Sequence, residues 1–339
     1  MSPEAHDVRR DGPDLAAARV VALGIGTDGT FRHFCAAGAR LAADVVAVDL
    51  AEVAEEGDWR LAIPDDGASR LVTARGAVDL DPAAGYFARL VDLSAVEPDP
   101  RLAARWRALT SALAAWLDHV PGAVANRPTA WADNGTKPLH EARLARAGFA
   151  VPASLTSSDP EALRAFAAAG PTVVKALSGV RATARAASPA EFTAAAGFTP
   201  AQGPVHLQRR VAGVDLRVHV CGDAAYAQRI TARPDAEAAH GADTPPVVDY
   251  RELDATGLDF ATVDLPAGLS RRLVAATAES GLLFAGWDLR ADEETGAYWV
   301  LEANPMPGYD WYDRRAGDEI TAALLGALVP AESREAVRA

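Results

Sequence analysis

Asp288, Glu302 and Asn304 are the side chains whose types and spacing point most directly to chemistry. Two short apolar runs, residues 284–289 and 298–303, flank a polar, glycine-containing turn, the pattern of a β-hairpin. Glu302 and Asn304 are two residues apart, so on a strand they share a face. A turn centred on Thr295 sets Asp288 opposite Glu302 on that same face. An Asp, a Glu and an Asn amide oxygen meeting there form a hard-oxygen site. Such a site suits Mg²⁺, which takes one or two carboxylates and leaves other positions to substrate phosphates. A solvated polar hairpin fits less well, because apolar residues surround all three groups. Carboxylates facing each other in a poor solvent need a cation.

A second concentration of chemistry lies earlier. Lys137 stands at the mouth of a helix that Gly148 closes, and Lys175 ends the apolar strand 171–176. They are the chain's only lysines, against many arginines, so both positions look chosen for a compact ammonium. Ser178 and Gly179 follow Lys175 at once, with Arg181 and Arg185 close behind. A lysine leading into a small, flexible loop can reach nucleotide phosphates while loop N–H groups approach them, and arginines can add charge-assisted bonds.

A competing signal sits near the N-terminus. Gly24, Gly26 and Gly29 form G-x-G-x-x-G between a strand at 19–23 and a helix at 31–42, with Asp49 twenty residues further on at the end of a second strand. This matches the dinucleotide-binding fingerprint with its ribose-binding acid. Any strand-to-helix turn in an open α/β domain can also carry glycines.

The elements that must position these groups follow from periodicity and punctuation. Asp99 and Pro100 open a helix whose Leu102, Trp106, Leu109, Leu113 and Trp116 form one apolar stripe, so both tryptophans read as core. Asp159 and Pro160 open another helix through Ala169. Strand 205–211 carries Gln208 and ends at Val211; strand 215–221 then turns at Gly222–Asp223 into its hairpin partner, 224–230. Asp215, Arg217 and His219 share one face, and Arg229 lies on the returning strand. Residues 231–250 lack periodicity and read as a long mobile loop, with Asp249 and Arg251 near its end. A helix at 270–280 leads to the Asp288 hairpin, and a last helix spans about 318–328.

With 339 residues, half of them apolar, the chain can build two or three packed domains. The net charge of −13 argues against nucleic acid as the main partner but not against ATP, which a few local cations can hold. Cys35 and Cys221 give neither a disulfide framework nor a metal spacing, and with the seven histidines they form no nucleophilic triad. No run reaches membrane-spanning length and residues 1–18 lack a signal-peptide core, so a cytoplasmic location is expected.

The order of Lys137, Lys175 with its loop, Gln208 through Arg217, Asp288, then Glu302 and Asn304 resembles the ATP-grasp carboxylate–amine ligases, above all their RimK-type, glutathione-synthetase-like branch. LQRRVAGVDLRVHVCGDAAYAQRI looks like that branch's hinge and Asp-x-Arg strand, and WVLEANPMPG like its metal strand. The resemblance covers about residues 126–328 and implies an α/β (α+β) chain with the ATP-grasp fold. Its parts would be a disordered tail (1–18), an N-terminal α/β substrate domain (19–125), a central lobe with a phosphate lid (126–211) and a C-terminal lobe with the metal site (212–330).

Carried over by position, Lys137 and Lys175 would contact ATP phosphates, and Ser178, Gly179 and Arg181 would belong to the lid. Gln208 and the Val211 backbone would meet adenine, and Asp215 would contact the ribose or the acceptor. Asp288, Glu302 and Asn304 would hold Mg²⁺. Arg217 and Arg229 would stabilise an acyl phosphate and the following oxyanion. The chain departs from the family in its hinge, Gln208-Arg209-Arg210 where an acid is often found, and in a lid short of glycine. The implied activity is an ADP-forming carbon–nitrogen ligase using ATP and Mg²⁺ on a small-molecule or peptide carboxylate and an amine. The alternative is an NAD(P)-dependent oxidoreductase built on the Gly24–Gly29 turn, which leaves both lysines and the Asp288 set without a role. The oligomeric state stays open, a homo-oligomer included.

Overall fold

The strand-to-helix turn at Gly24 opens a parallel sheet. A computed structural model describes residues 19–63, 68–131, 136–177, 184–233 and 257–329. The expected tail 1–18, the lid residues Ser178, Gly179 and Arg181, and residues 234–256 of the long loop, with Asp249 and Arg251, lie outside them. Strand β1 (Val20–Gly24) pairs in parallel with β2 (Val45–Asp49), across helix α1 (Gly29–Arg40). Helix α2 (Leu50–Glu55) leads to a small antiparallel sheet of β3 (Asp58–Arg60), β4 (Ser69–Thr73) and β5 (Gly76–Leu80). Strands β6 (Gly85–Ala88) and β7 (Val124–Ala125) complete the parallel sheet in the order β2-β1-β6-β7.

Between β6 and β7 runs α3 (Pro100–His119), capped by the Asp99 carboxylate as the sequence leads one to expect. Trp106, Leu109, Leu113 and Trp116 of its stripe are buried in one core with Leu23, Val48 and Tyr86, and Leu102 packs at the edge of that core.

The second unit, Thr129–Tyr309, holds two antiparallel sheets. Helix α4 (Lys137–Arg146) precedes β8 (Ser154–Ser157), α5 (Pro160–Ala168) and β9 (Thr172–Lys175). With β10 (Arg185–Ala187) and β11 (Val205–Arg209) they form a four-stranded sheet in the order β10-β9-β11-β8. Leu155, Val174 and Leu207 pack against Leu163 and Ala167 of α5. The alternate side chains Ser154, Thr156, Lys175, His206 and Gln208 therefore share the other face.

The five-stranded sheet contains β12 (Val214–Cys221), β13 (Ala224–Ala232), β14 (Leu258–Val263), β15 (Phe284–Ala291) and β16 (Tyr298–Asn304), in the order β14-β13-β12-β15-β16. Leu216, Val218, Val220, Trp287 and Leu289 line its apolar face under helix α6 (Ala267–Glu279), where Trp287 donates to Thr277 at 3.0 Å.

Past Tyr309 the chain forms α7 (Asp310–Asp313) and α8 (Glu319–Leu328). Both group with the first unit, which takes the chain up to Pro128 and again from Asp310. This corrects the expected boundary, which ran the last lobe through residue 330. The cause is apolar burial of Ile320, Leu324 and Leu325 together with a polar lock of α7–α8 onto α1. In that lock Asp313 accepts from His33 at 2.8 Å and from the Ile320 N–H, while Arg40 grips Asp318 with two bonds.

Candidate functional site

The hairpin places Asp288 opposite Glu302 and Gly286 opposite Asn304, so Asp288, Glu302 and Asn304 share the polar face of the five-stranded sheet. The pairing depends on a bulge. Near the turn Leu289 faces Val300 and Arg290 faces Trp299, and the register shifts by one residue between Leu289 and Asp288. Leu301 is the extra residue. Without it Glu302 would oppose Trp287 and point to the apolar face, because one residue of slip inverts every side chain.

Arg217 stands opposite Asp288 on β12 and donates from Nη1 to Asp288 Oδ1 at 2.7 Å. Its Nε donates to His219 Nε2 at 3.3 Å. Burial, joined by the Arg217 charge, pushes His219 well below the ordinary imidazole range, against a hydrogen bond to the Gly308 backbone. A neutral ring is what an acceptor for Arg217 requires. Gly286 makes room for the guanidinium, since a Cβ there would lie 2.4 Å from Arg217 Nη2.

Two ammoniums face these acids. Lys137 Nζ lies 3.6 Å from Glu302 Oε2. Lys175 is shielded at its charged end. Burial lowers its pKa and Lys137 lowers it further, while Glu141, Glu302 and Asp288 pull it back up. Both lysines and both carboxylates therefore occupy one electrostatic neighbourhood. The donor set fits a hard divalent cation: carboxylates at Asp288 and Glu302, and the amide oxygen of Asn304, which accepts the Met306 N–H at 2.9 Å and keeps a second lone pair.

Several residues that sequence reasoning passed over complete the site. Glu141 is buried and accepts from Ser154 at 2.6 Å, His206 at 3.1 Å and Gln208 at 2.7 Å. Burial works to raise its pKa, but the bonds from His206 and Ser154 and the Lys175 charge prevail and lower it. Its neighbour His140 accepts the Ala303 N–H at Nε2, 2.9 Å away. The i, i+3 and i, i+4 spacings from Lys137 to His140 and Glu141 were a legible hint.

The remaining expected residues are placed as follows. Gln208 lies on the lysine-bearing face, with its amide given to Glu141. Asp215 is held by both ends of Arg290, at 2.8 and 3.0 Å, and Arg290 also donates to the Val211 carbonyl at 2.9 Å. Arg185 is exposed and paired with Glu191. Arg229 departs from expectation. It stands opposite Leu216 while Gln228 stands opposite Arg217, so Arg229 points to the other face and pairs with Glu293 at 2.9 Å. The two-residue turn at Gly222–Asp223 already dictates this register, since Cys221 must then face Ala224.

The glycine turn of the first unit is occupied by the chain's own carboxylates. Asp28 Oδ1 takes the Thr30 and Phe31 N–H groups at the start of α1, and its Oδ2 accepts from buried Arg89 at 2.8 Å. Asp49 caps α2, and its Oδ2 lies 2.4 Å from where a Cβ on Gly26 would sit. A pyrophosphate needs that helix terminus. Here Gly26 makes room for Asp49, and Gly24 for Phe31.

A cavity of about 560 Å³ in the same unit is lined by Arg32, Arg40 and Arg314, each tied to an oxygen of the chain, at Gly26, Asp318 and Asp310 respectively. His33, Asp313 and Asp318 form a metal-like cluster beside it, but they are consumed by the α7–α8 lock. Burial pushes the Cys35 thiol up to about 11, which leaves it a poor nucleophile. Among the described residues no helix is long and apolar enough to cross a membrane.

No family model and no curated protein matches the chain. Solved structures do. The ATP-grasp ligase PsnB complexed with minimal precursor aligns at TM-score 0.71 and 25% identity over 92% of this chain and 97% of its own. With a phosphomimetic variant of the precursor, Mg and ADP, it aligns at 0.70 and 26%, with the same coverage. A Chryseobacterium gregarium RiPP-associated ATP-grasp ligase, in complex with ADP and a leader and core peptide, aligns at 0.73 and 13% over 92% and 96%. The macrocyclase MdnC from Microcystis aeruginosa MRC, bound with precursor peptide MdnA, aligns at 0.72 and 17% over 92% and 99%. The chain has the ATP-grasp fold.

Proposed function

We propose that this protein activates a carboxylate of a peptide substrate as an acyl phosphate and joins it to an amine. The protein is an ADP-forming carbon–nitrogen ligase of the ATP-grasp type, using ATP with Mg²⁺. One observation carries the reading: Lys137 and Lys175 share an electrostatic neighbourhood with Asp288 and Glu302. A metal–nucleotide needs that division, ammoniums for phosphate oxygens and carboxylates for the cation. The order of motifs supports the RimK-type branch. The peptide substrate is supported by the precursor peptides bound in the similar ligases.

The chemistry is two displacements. A carboxylate oxygen attacks the γ-phosphorus and ADP leaves; the amine nitrogen then attacks the acyl carbon, loses a proton, and phosphate leaves. Lys137 and Lys175 hold the phosphates, and Asp288, Glu302 and Asn304 hold Mg²⁺, which supplies positive charge to the phosphate oxygens when bound. Arg217, fixed by His219 and Asp288, brings its positive charge to the acyl phosphate and oxyanion. The alternative oxidoreductase reading is weakened at Asp28, whose carboxylate takes the Thr30 and Phe31 N–H groups that a pyrophosphate at the start of α1 would need.

The test is ADP release over a panel of amino acids and acidic peptides, with product mass read for loss of water. ADP release should require a carboxylate-bearing peptide, and Glu302→Gln should abolish it while the protein stays folded. Near-parent turnover in Glu302→Gln at ordinary Mg²⁺ would overturn the metal assignment. Micromolar NAD(P)H binding by the parent would overturn the ligase reading.

A further inference from the structure

Strand β16 is an edge strand, and outward N–H groups of an edge have no ladder partner of their own. Val300 donates outward to the Ala150 carbonyl at 2.8 Å. Past the Leu301 bulge the next such bond runs from the Ala303 N–H to His140 Nε2, at 2.9 Å and buried. Ala303 lies between Glu302 and Asn304. Its N–H belongs to the peptide plane that begins at Glu302, so fixing that plane fixes the backbone from which Glu302 leaves the strand and anchors the chain one residue before Asn304. A bulge disrupts the ladder locally, which makes an outside anchor consequential at this point.

His140 is itself held on a short, well-tied helix. One turn of α4 carries Lys137, which reaches Glu302, and Glu141, which binds Ser154, His206 and Gln208 on the four-stranded sheet. The same turn is thus fastened to the lysine-bearing sheet through Glu141 and to the metal strand through His140.

We propose that His140 is a positioning residue for the Mg²⁺ site, its Nε2 lone pair holding the Ala303 N–H and so setting the directions of Glu302 and Asn304 against Lys137 and Lys175. The proposal rests on the reading of Asp288, Glu302 and Asn304 as the metal ligands. Glutamine is the informative replacement, because its side-chain oxygen extends to where Nε2 lies. Leucine keeps the bulk and removes the acceptor, leaving a buried N–H unanswered. Asparagine keeps polarity but stops short.

The experiment measures Mn²⁺ affinity by electron paramagnetic resonance, with and without a non-hydrolysable ATP analogue, on the full chain. Mn²⁺ accepts the same oxygen donors as Mg²⁺. His140→Leu and His140→Asn should weaken Mn²⁺ binding by about ten- to a hundredfold, the range for groups that orient metal ligands, and His140→Gln should restore most of it. Circular dichroism and melting temperature accompany each variant. If His140→Leu does not fold, His140→Asn decides. Parent-like Mn²⁺ affinity in a folded Leu or Asn variant, or a Gln variant as weak as these, overturns the role of His140. Glu302→Gln separates the two levels: parent-like Mn²⁺ binding there sinks the metal site itself, whereas weak binding there with parent-like His140→Leu sinks only the positioning role.

Discussion

Gly286→Ala should cripple turnover without touching any atom of the lysines or the carboxylates. The backbone of Gly286 lies outside the left-handed region, so space alone demands glycine there. An added Cβ would sit 2.4 Å from Arg217 Nη2, 2.8 Å from its Cζ and 2.6 Å from Pro307 Cβ. Ordinary contact needs about 3.5 Å, so the guanidinium must retreat by about 1 Å. Arg217 has little freedom to do so, because Nη1 holds Asp288 at 2.7 Å and Nε holds His219 at 3.3 Å. A retreat of that size breaks the bond to Asp288.

Overpacking costs about 1–3 kcal/mol and a lost charge-assisted bond about 1.5–3, offset by about 0.5–1 from replacing a glycine within a strand. The net expectation is about 1.5–5.5 kcal/mol of lost stability. If Arg217 acts on the acyl phosphate, a misplacement of about 1 Å lowers kcat about a hundredfold. ATP affinity should stay within about threefold, since the lysines are untouched. Coupled ADP release, calorimetry with ATP and a thermal melt read these three quantities. The double variant Arg217→Ala/Gly286→Ala removes the clash with the guanidinium, so the two stability losses should fall short of additive by about 1–2 kcal/mol. Parent turnover in Gly286→Ala, or strict additivity in the cycle, refutes the placement of Arg217.

Two further outcomes are expected. Lys175→Met should weaken ATP binding at least about tenfold by calorimetry, because a desolvated ammonium on phosphate oxygens acts in the ground state; unchanged affinity would contradict that role. The pH dependence of stability should carry a His219 component. In the folded protein His219 stays neutral well below its ordinary 6.5, so unfolding takes up a proton under that pH and stability falls as pH drops through 6.5 toward the folded value. His219→Gln should flatten the slope below about pH 6 by up to about 1.4 kcal/mol per pH unit, read from melts across pH 5–8, and an unchanged slope would show that His219 is protonated when folded.

Local chemistry alone determined a good part of this protein. Asp99-Pro100 and Asp159-Pro160 cap their helices as written, because a cap needs only the next few N–H groups. The stripe of α3 is buried because its spacing is helical. Both lysines lead into the site from the ends of elements that punctuation marks plainly, and alternation puts Asp215, Arg217 and His219 on one face of β12. The Cys221–Ala224 turn even holds the information that Arg229 faces away, available by counting residues across it.

Tertiary structure decided what depends on partners far apart in sequence. A hairpin turn cannot announce that Leu301 will bulge, yet that one residue brings Glu302 onto the face of Asp288. Alternation within β11 presents Gln208 to the lysine-bearing face, but whether its amide goes to adenine or to Glu141 depends on where α4 docks. The glycine turn reads equally well as a dinucleotide loop until Asp28 is seen to take the first N–H groups of α1 and to pair with Arg89, far away in sequence. Helices α7 and α8 follow the metal strand in sequence but join the first unit through His33, Arg40 and an apolar face. In each case the sequence carries a periodicity that fixes faces within an element, while register, bulges and side-chain pairing are settled by packing between elements.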